Sequence, residues 1–175
     1  CCLIMTKIVD VKEIPVKESM VPVPMNDLEK VRQLCQELRG LCEEQQGIGI
    51  SAVQVGVPWN LFLVKGDGSC PLIPKDEFGY FAECEYDKVT DERVDSLEGC
   101  LSLRSPDGRL RFFHVERQKD IKVKGYIFIL DSLLFLPIDC ALSVEEQGIV
   151  FQHEIDHSFQ ILISDFGKEI DPALF

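Results

Sequence analysis

Apolar residues recur at spacings of three and four through Leu28, Val31, Cys35, Leu38 and Cys42, the period of a helix with one buried stripe. Asn26 or Asp27 stands ahead of them as an N-cap, so a first helix is predicted over residues 27–44. Upstream, Pro15, Pro22 and Pro24 forbid a long helix, and residues 6–24 read as an extended lead-in. Downstream the period shortens. Leu61-Phe62-Leu63-Val64 reads as a buried strand followed by a Gly66-Asp67-Gly68-Ser69 turn. Residues 70–95 carry Pro71, Pro74 and many charges, which predicts loops and one short strand around residues 80–86. The stretch 96–103 suits a strand edge or bulge, because glycine precedes a cysteine among apolar neighbours. Strand-like runs follow at 111–115, 121–130 and 133–136, with Asp131-Ser132 as a hairpin turn. Ser143-Val144-Glu145-Glu146 has the form of a capping box and is expected to open a second helix reaching residue 158. Residues 47–54, closed by Gly56 and Pro58, read on their own as a tight turn. They lack the third glycine of a dinucleotide loop, and no strand precedes them. No repeat, low-complexity tract or linker appears, and residues 1–175 are read as one domain.

The second helix carries the chemistry. Gln152-His153-Glu154-Ile155-Asp156-His157 places two imidazoles four residues apart, hence on one helix face and one turn from each other. Both rings can then reach one cation, with the Glu154 carboxylate beside whatever else that cation binds. The chain has 3 histidines, and two of them fall here. The plain alternative is an amphipathic surface helix whose His and Glu are only polar. A third ligand would decide between the readings, since a catalytic metal takes three protein ligands and keeps one position for water. Cys100 is the best such ligand, because the glycine beside it allows close approach. His114, between Phe113 and Val115, reads as structural.

Composition narrows the classes. With 175 residues, 46% of them hydrophobic, the chain can bury a sizeable core. A net charge of −12 argues against a nucleic-acid or anionic-membrane surface. The most apolar stretch, residues 126–137, is broken by Asp131 and falls short of the roughly 20 residues a spanning helix needs. The 8 cysteines show no CxxC pair and no regular spacing, so most read as small buried hydrophobes in a reducing compartment. Met5 offers a start, which would make residues 1–4 a remnant.

Three segments together resemble the peptide deformylase family: Gly47-Ile-Gly-Ile-Ser-Ala-Val-Gln54, Glu98-Gly-Cys-Leu-Ser102 and Gln152-His-Glu-Ile-Asp-His157. The family helix usually continues Leu-x-Gly, where this chain has Ser158, Phe159 and Gln160. The resemblance implies an α+β fold, with antiparallel sheets packed around the helix that carries the HExxH motif. It implies removal of the N-formyl group from the formyl-methionine of nascent polypeptides, with release of formate. The implied metal ligands are Cys100, His153 and His157, around Fe²⁺ that Zn²⁺ or Ni²⁺ can replace. Glu154 is the implied proton carrier, with the Gln54 amide and the Leu101 backbone N–H as oxyanion donors. Glu98 and Asp156 are expected to orient the loop and an imidazole, with Arg117 as ion-pair partner to one of them. Substrate backbone is expected along Ile48, Gly49 and Gly99, and a methionine pocket at Ile48, Ile149 and Val150. For Ile149 and Val150 ordinary helix-to-sheet packing is an equal alternative.

The expected setting is cytoplasmic, or an organellar matrix in a eukaryote. Contact with the ribosome would be transient, because the tail (Asp165, Glu169, Asp171 against Lys168) is a poor match for RNA. No direct nucleic-acid or membrane partner is expected. Two rivals remain. A zinc endopeptidase would recruit a downstream ligand, and no histidine follows His157. A silent peptide-binding relative would be expected to lack Glu154, Cys100 or Gln54, and all are present.

Overall fold

A computed structural model describes residues 7–10, 13 and 20–170. The remnant reading of residues 1–4 and most of the lead-in lie outside these. Helix α1 (Leu28–Glu44) starts where expected, the Asp27 side chain accepting the Lys30 N–H. Its buried residues are Val31, Leu34, Cys35, Leu38 and Cys42.

Two antiparallel sheets follow. Strands β1 (Gly49–Ser51), β2 (Leu61–Lys65), β3 (Phe78–Lys88), β6 (Asp120–Ile129) and β7 (Leu134–Ser143) form a five-stranded sheet in the order β1-β2-β3-β6-β7. Strands β4 (Arg93–Arg104), β5 (Leu110–Gln118) and β8 (Lys168–Glu169) form a three-stranded one, β4-β5-β8. The continuous apolar run of β2 has a direct cause. Leu61 and Leu63 point to the α1 side with Ile50, Tyr80 and Phe128. Phe62 and Val64 point to the other side with Phe81, Ile121 and Val123, against Phe151 and Ile155 of helix α2 (Gly148–Ser158). Helix α2 is therefore backed by the large sheet, and its opposite face meets β4 and β5 of the small one through side chains described below. This is the expected α+β arrangement around the histidine helix.

Four expectations change. Residues 47–54 are not a bare tight turn: β1 pairs with β2, Ile50 opposite Leu63, and a 3₁₀ turn (Ala52–Val55) follows, closed by Gly56 at φ 80°. The charged stretch 70–95 holds one long strand, β3, with a bulge between Ala82 and Glu85, and the start of β4; Glu83, Glu85 and Asp87 alternate outward from it. The capping box at Ser143 is present but caps a 3₁₀ turn (Val144–Glu146), not α2. Gln147 at φ 64° breaks the chain between them. Finally, β7 continues through Pro137. It is an edge strand, where a missing N–H costs no ladder bond. The tail adds helix α3 (Ile163–Phe166) and β8.

Helix α2 ends at Ser158, and Gln160 adopts φ 61° two residues later. That is the left-handed conformation favouring glycine, the residue usual at this place in the family motif. Gln160→Gly is expected to stabilise the fold by about 0.5–1 kcal/mol, read as a rise of about 2 °C in Tm. An unchanged or lower Tm would contradict this.

Candidate metal centre

Helical spacing places the His153 and His157 rings 4.8 Å apart and nearly perpendicular. Cys100 reaches them from β4, which runs beside Phe112 of β5 because Gly99 has no Cβ: one there would stand 2.9 Å from the Phe112 ring. The Cys100 Sγ lies 3.5 Å from the His157 Nε2. One ligand atom from each of Cys100, His153 and His157 lies within 4.8 Å of the others. A tetrahedral ion with arms of ~2.3 Å to sulfur and ~2.0 Å to nitrogen sets those two atoms ~3.5 Å apart. The residues present therefore fit such an ion. His114 stands apart, half-exposed and 2.8 Å from Asp95.

The ligands are held by a buried ionic chain. The Glu98 carboxylate lies 2.8 Å from the His153 Nδ1, which leaves Nε2 for the ion. Arg117 grips Glu98 with two hydrogen bonds, at 2.7 and 2.8 Å, and donates a third to Asp156. Asp156 also accepts from the Tyr86 hydroxyl at 2.9 Å. Arg117 is thus the partner of both carboxylates, not of one. Burial would raise the Glu98 pKa, but Arg117 and His153 hold it down to about 2. For Asp156 burial wins and raises the pKa. Burial and the His153 and Arg117 charges push His157 well below its ordinary value, so that ring is neutral, as a ligand must be. Burial would lower His153 too, but the Cys100 sulfur and the Glu98 carboxylate raise it. A cation taking that nitrogen displaces the proton, so ion uptake is accompanied by proton release.

Glu154 points from the same helix into a cleft of about 400 Å³. Burial pushes its pKa up to about 7. The β1 backbone runs directly against its carboxyl: a Cβ on Gly49 would sit 2.6 Å from the Glu154 Oε1. Gln54 is fixed by its Oε1 accepting the Ser51 N–H at 2.9 Å. Its Nε2 is thereby aimed at the Cys100 Sγ, 3.5 Å away, and the Ser102 Oγ, 3.2 Å away. Leu101 is buried and lines the cleft, as do Ile48, Gly49, Gly99 and Ile149. Val150 lines it and also packs on the core between α2 and the large sheet, so pocket and core readings both hold for that residue. Ile48 is 60% exposed at the cleft mouth.

Ile48, Gly49, Gln54, Glu98, Gly99, Leu101, Ile149, Val150, His153 and Glu154 line this cleft; Cys100 and His157 stand beside His153, and Asp156 is tied in through Arg117. Sequence reasoning missed Tyr86 and Ser102. Ser102 was within reach, as the last residue of the motif containing Cys100. Tyr86 stands in a charged strand with no pattern to single it out.

Comparisons with known proteins point to one family. The chain is 26% identical over 151 residues to peptide deformylase 2 of Clostridium perfringens, covering 86% of each chain. It is 26% identical over 145 residues to the peptide deformylase of Natranaerobius thermophilus, covering 81% of this chain and 80% of that one. Its fold superposes on the crystal structure of peptide deformylase from Thermotoga maritima with TM-score 0.72 at 25% identity, covering 96% of this chain and 99% of that one. The family model described as polypeptide deformylase matches residues 5–172, and on that match the chain belongs to the peptide deformylase family.

Proposed function

We propose that this chain carries out its family's reaction with Cys100, His153 and His157 as metal ligands and Glu154 as the proton carrier. It is a metal-dependent hydrolase that removes the formyl group from the N-terminus of nascent polypeptides. The observation that carries the residue assignment is the convergence of one sulfur and two ring nitrogens within 4.8 Å, beside a buried carboxyl in a cleft. An ion held by Cys100, His153 and His157 would supply Lewis-acid chemistry and lower the pKa of a water to about 7.

The protein's own groups do the rest. Glu154, with its pKa near 7, takes the proton of the attacking water and delivers it to the departing amine. The Gln54 Nε2 and the Leu101 backbone N–H donate to the oxyanion as the formyl carbon becomes tetrahedral. The cleft-lining backbone at Ile48 and Gly49 pairs with the substrate main chain on one side, and Gly99 on the other. Ile48, Ile149 and Val150 receive the methionine side chain. Fe²⁺ is the native ion in this reading, with Zn²⁺ or Ni²⁺ able to replace it, because a Cys/His₂ set accepts all three. Among the described residues no helix is long and apolar enough to cross a membrane. The proposed setting is the cytoplasm or an organellar matrix, in transient contact with the ribosome that presents the nascent chain.

The test is formate release. Formyl-Met peptides should yield formate and a free amino terminus, while acetyl-Met peptides and internal peptide bonds stay intact. Cleavage of an internal bond would favour the endopeptidase reading instead.

A further inference from the structure

The cleft over the metal ligands continues past Leu110 and Phe112, which line both it and a second groove of about 540 Å³. Arg104, Arg109 and Arg111 all line that groove, on a chain whose net charge is −12. The three cations differ in what they hold. Arg111 is bidentate on Glu169, itself part of the groove, at 2.7 and 2.6 Å. Arg109 is paired with Asp107 at 2.8 Å. Arg104 donates to the Gln45 Oε1 at 2.7 Å and the Gly108 carbonyl at 2.8 Å. Both of those acceptors are neutral, and among the described residues no ion pair is made by Arg104. Gln45 in turn lines the metal cleft. Arg104 therefore stands at the junction of the two spaces.

We infer that Arg104 is a specificity-determining residue, favouring substrates that carry a carboxylate side chain downstream of the formylated methionine. This rests on the proposed function. The cleft lining includes Gln45, which Arg104 holds, and Leu110 and Phe112, which the arginine groove shares. Near the metal ligands the cleft is lined by Ile48, Leu101, Ile149 and Val150, which accept an uncharged methionine. Beyond Leu110 the groove presents arginines, which attract an acid and repel a base. A carboxylate arriving there takes over guanidinium N–H groups now spent on an amide and a carbonyl, and a charge-assisted bidentate pair is stronger than either. A lysine at the same place meets like charge.

The experiment compares kcat/KM for formate release from formyl-Met-Ala-Ala-Ala with peptides bearing Glu, Gln or Lys at the second, third or fourth position. At one of these positions Glu should exceed Lys by about fivefold at low salt, the scale of a single exposed ion pair. That ratio should fall toward one in about 0.5 M salt. It should vanish in Arg104→Gln, whose rate on the all-alanine peptide stays unchanged, and persist in Arg109→Gln. Equal rates for Glu and Lys at all three positions, or a Glu preference undiminished in Arg104→Gln, would overturn the inference. No formate from any peptide, the neutral one included, would instead overturn the proposed function, and the inference with it.

Discussion

Glu154→Gln is expected to lower kcat for formate release by about 10²–10⁴-fold, the usual worth of a positioned general acid–base group, while the bound metal stays stoichiometric. The side chain is almost wholly buried at 4% exposure, and its Oε2 has no hydrogen-bond partner among the described residues. A buried carboxyl with an open lone pair in a cleft is ready to receive a proton. With the pKa raised by burial to about 7, it is matched to both halves of the reaction, taking a proton from water and giving it to an amine. Glutamine keeps the volume and the contact with the Gly49 backbone but removes that exchange. Metal analysis alongside single-turnover formate release separates the outcomes. Full activity with metal in place would remove Glu154 from the mechanism. Loss of metal together with activity would make the carboxyl part of the ligand scaffold instead.

The same helix shows how much of the molecule was legible in the chain and where legibility stopped. Spacing alone placed His153 and His157 on one face, because i and i+4 are neighbours on any α-helix. The Cys100 position followed from the requirement for a third ligand and the glycine beside it. Local patterns were weakest where tertiary pairing overrides them. β1 is too short and too small in its side chains to announce itself, and it exists because β2 offers it a ladder. β3 carries Glu83, Glu85, Asp87 and Lys88, yet its neighbours Phe81 and Ala82 are fully buried, one against each core. The capping box at Ser143 is chemically real but serves a 3₁₀ turn, since Gln147 turns left-handed before α2 begins. A Cβ at Gly148 would strike the Ser143 carbonyl at 2.6 Å, so the chain turns in a space only glycine fits. Tyr86 was invisible because its partner Asp156 lies seventy residues away in sequence.

Arg117→Met is expected to destabilise the fold by about 3–5 kcal/mol, as removal of one member of a buried ion pair does. The expected fall in Tm is on the order of 10 °C. Arg117 is 3% exposed and is the cation shared by Glu98 and Asp156. Without it, the two buried carboxylates lose the guanidinium that joins them. The pH dependence gives an independent measure. Glu98 has its pKa depressed from 4.5 to about 2, so it contributes stability above pH ~4.5 that is lost as the pH falls through ~2, worth about 3 kcal/mol on conversion of that shift. In Arg117→Met this acid limb should flatten, because the carboxyl is no longer held ionised. Asp156, already raised by burial, should rise further. Metal affinity should weaken about 10–100-fold, since Glu98 no longer fixes the His153 ring. Adding Asp156→Asn removes one stranded charge and should recover part of the lost Tm, a non-additivity expected of groups in one network. Urea titrations of metal-free protein at several pH values, with metal competition beside them, separate the two effects. An Arg117→Met protein with unchanged acid unfolding and unchanged metal affinity would mean that the buried ionic chain neither supports the fold nor orients the ligand.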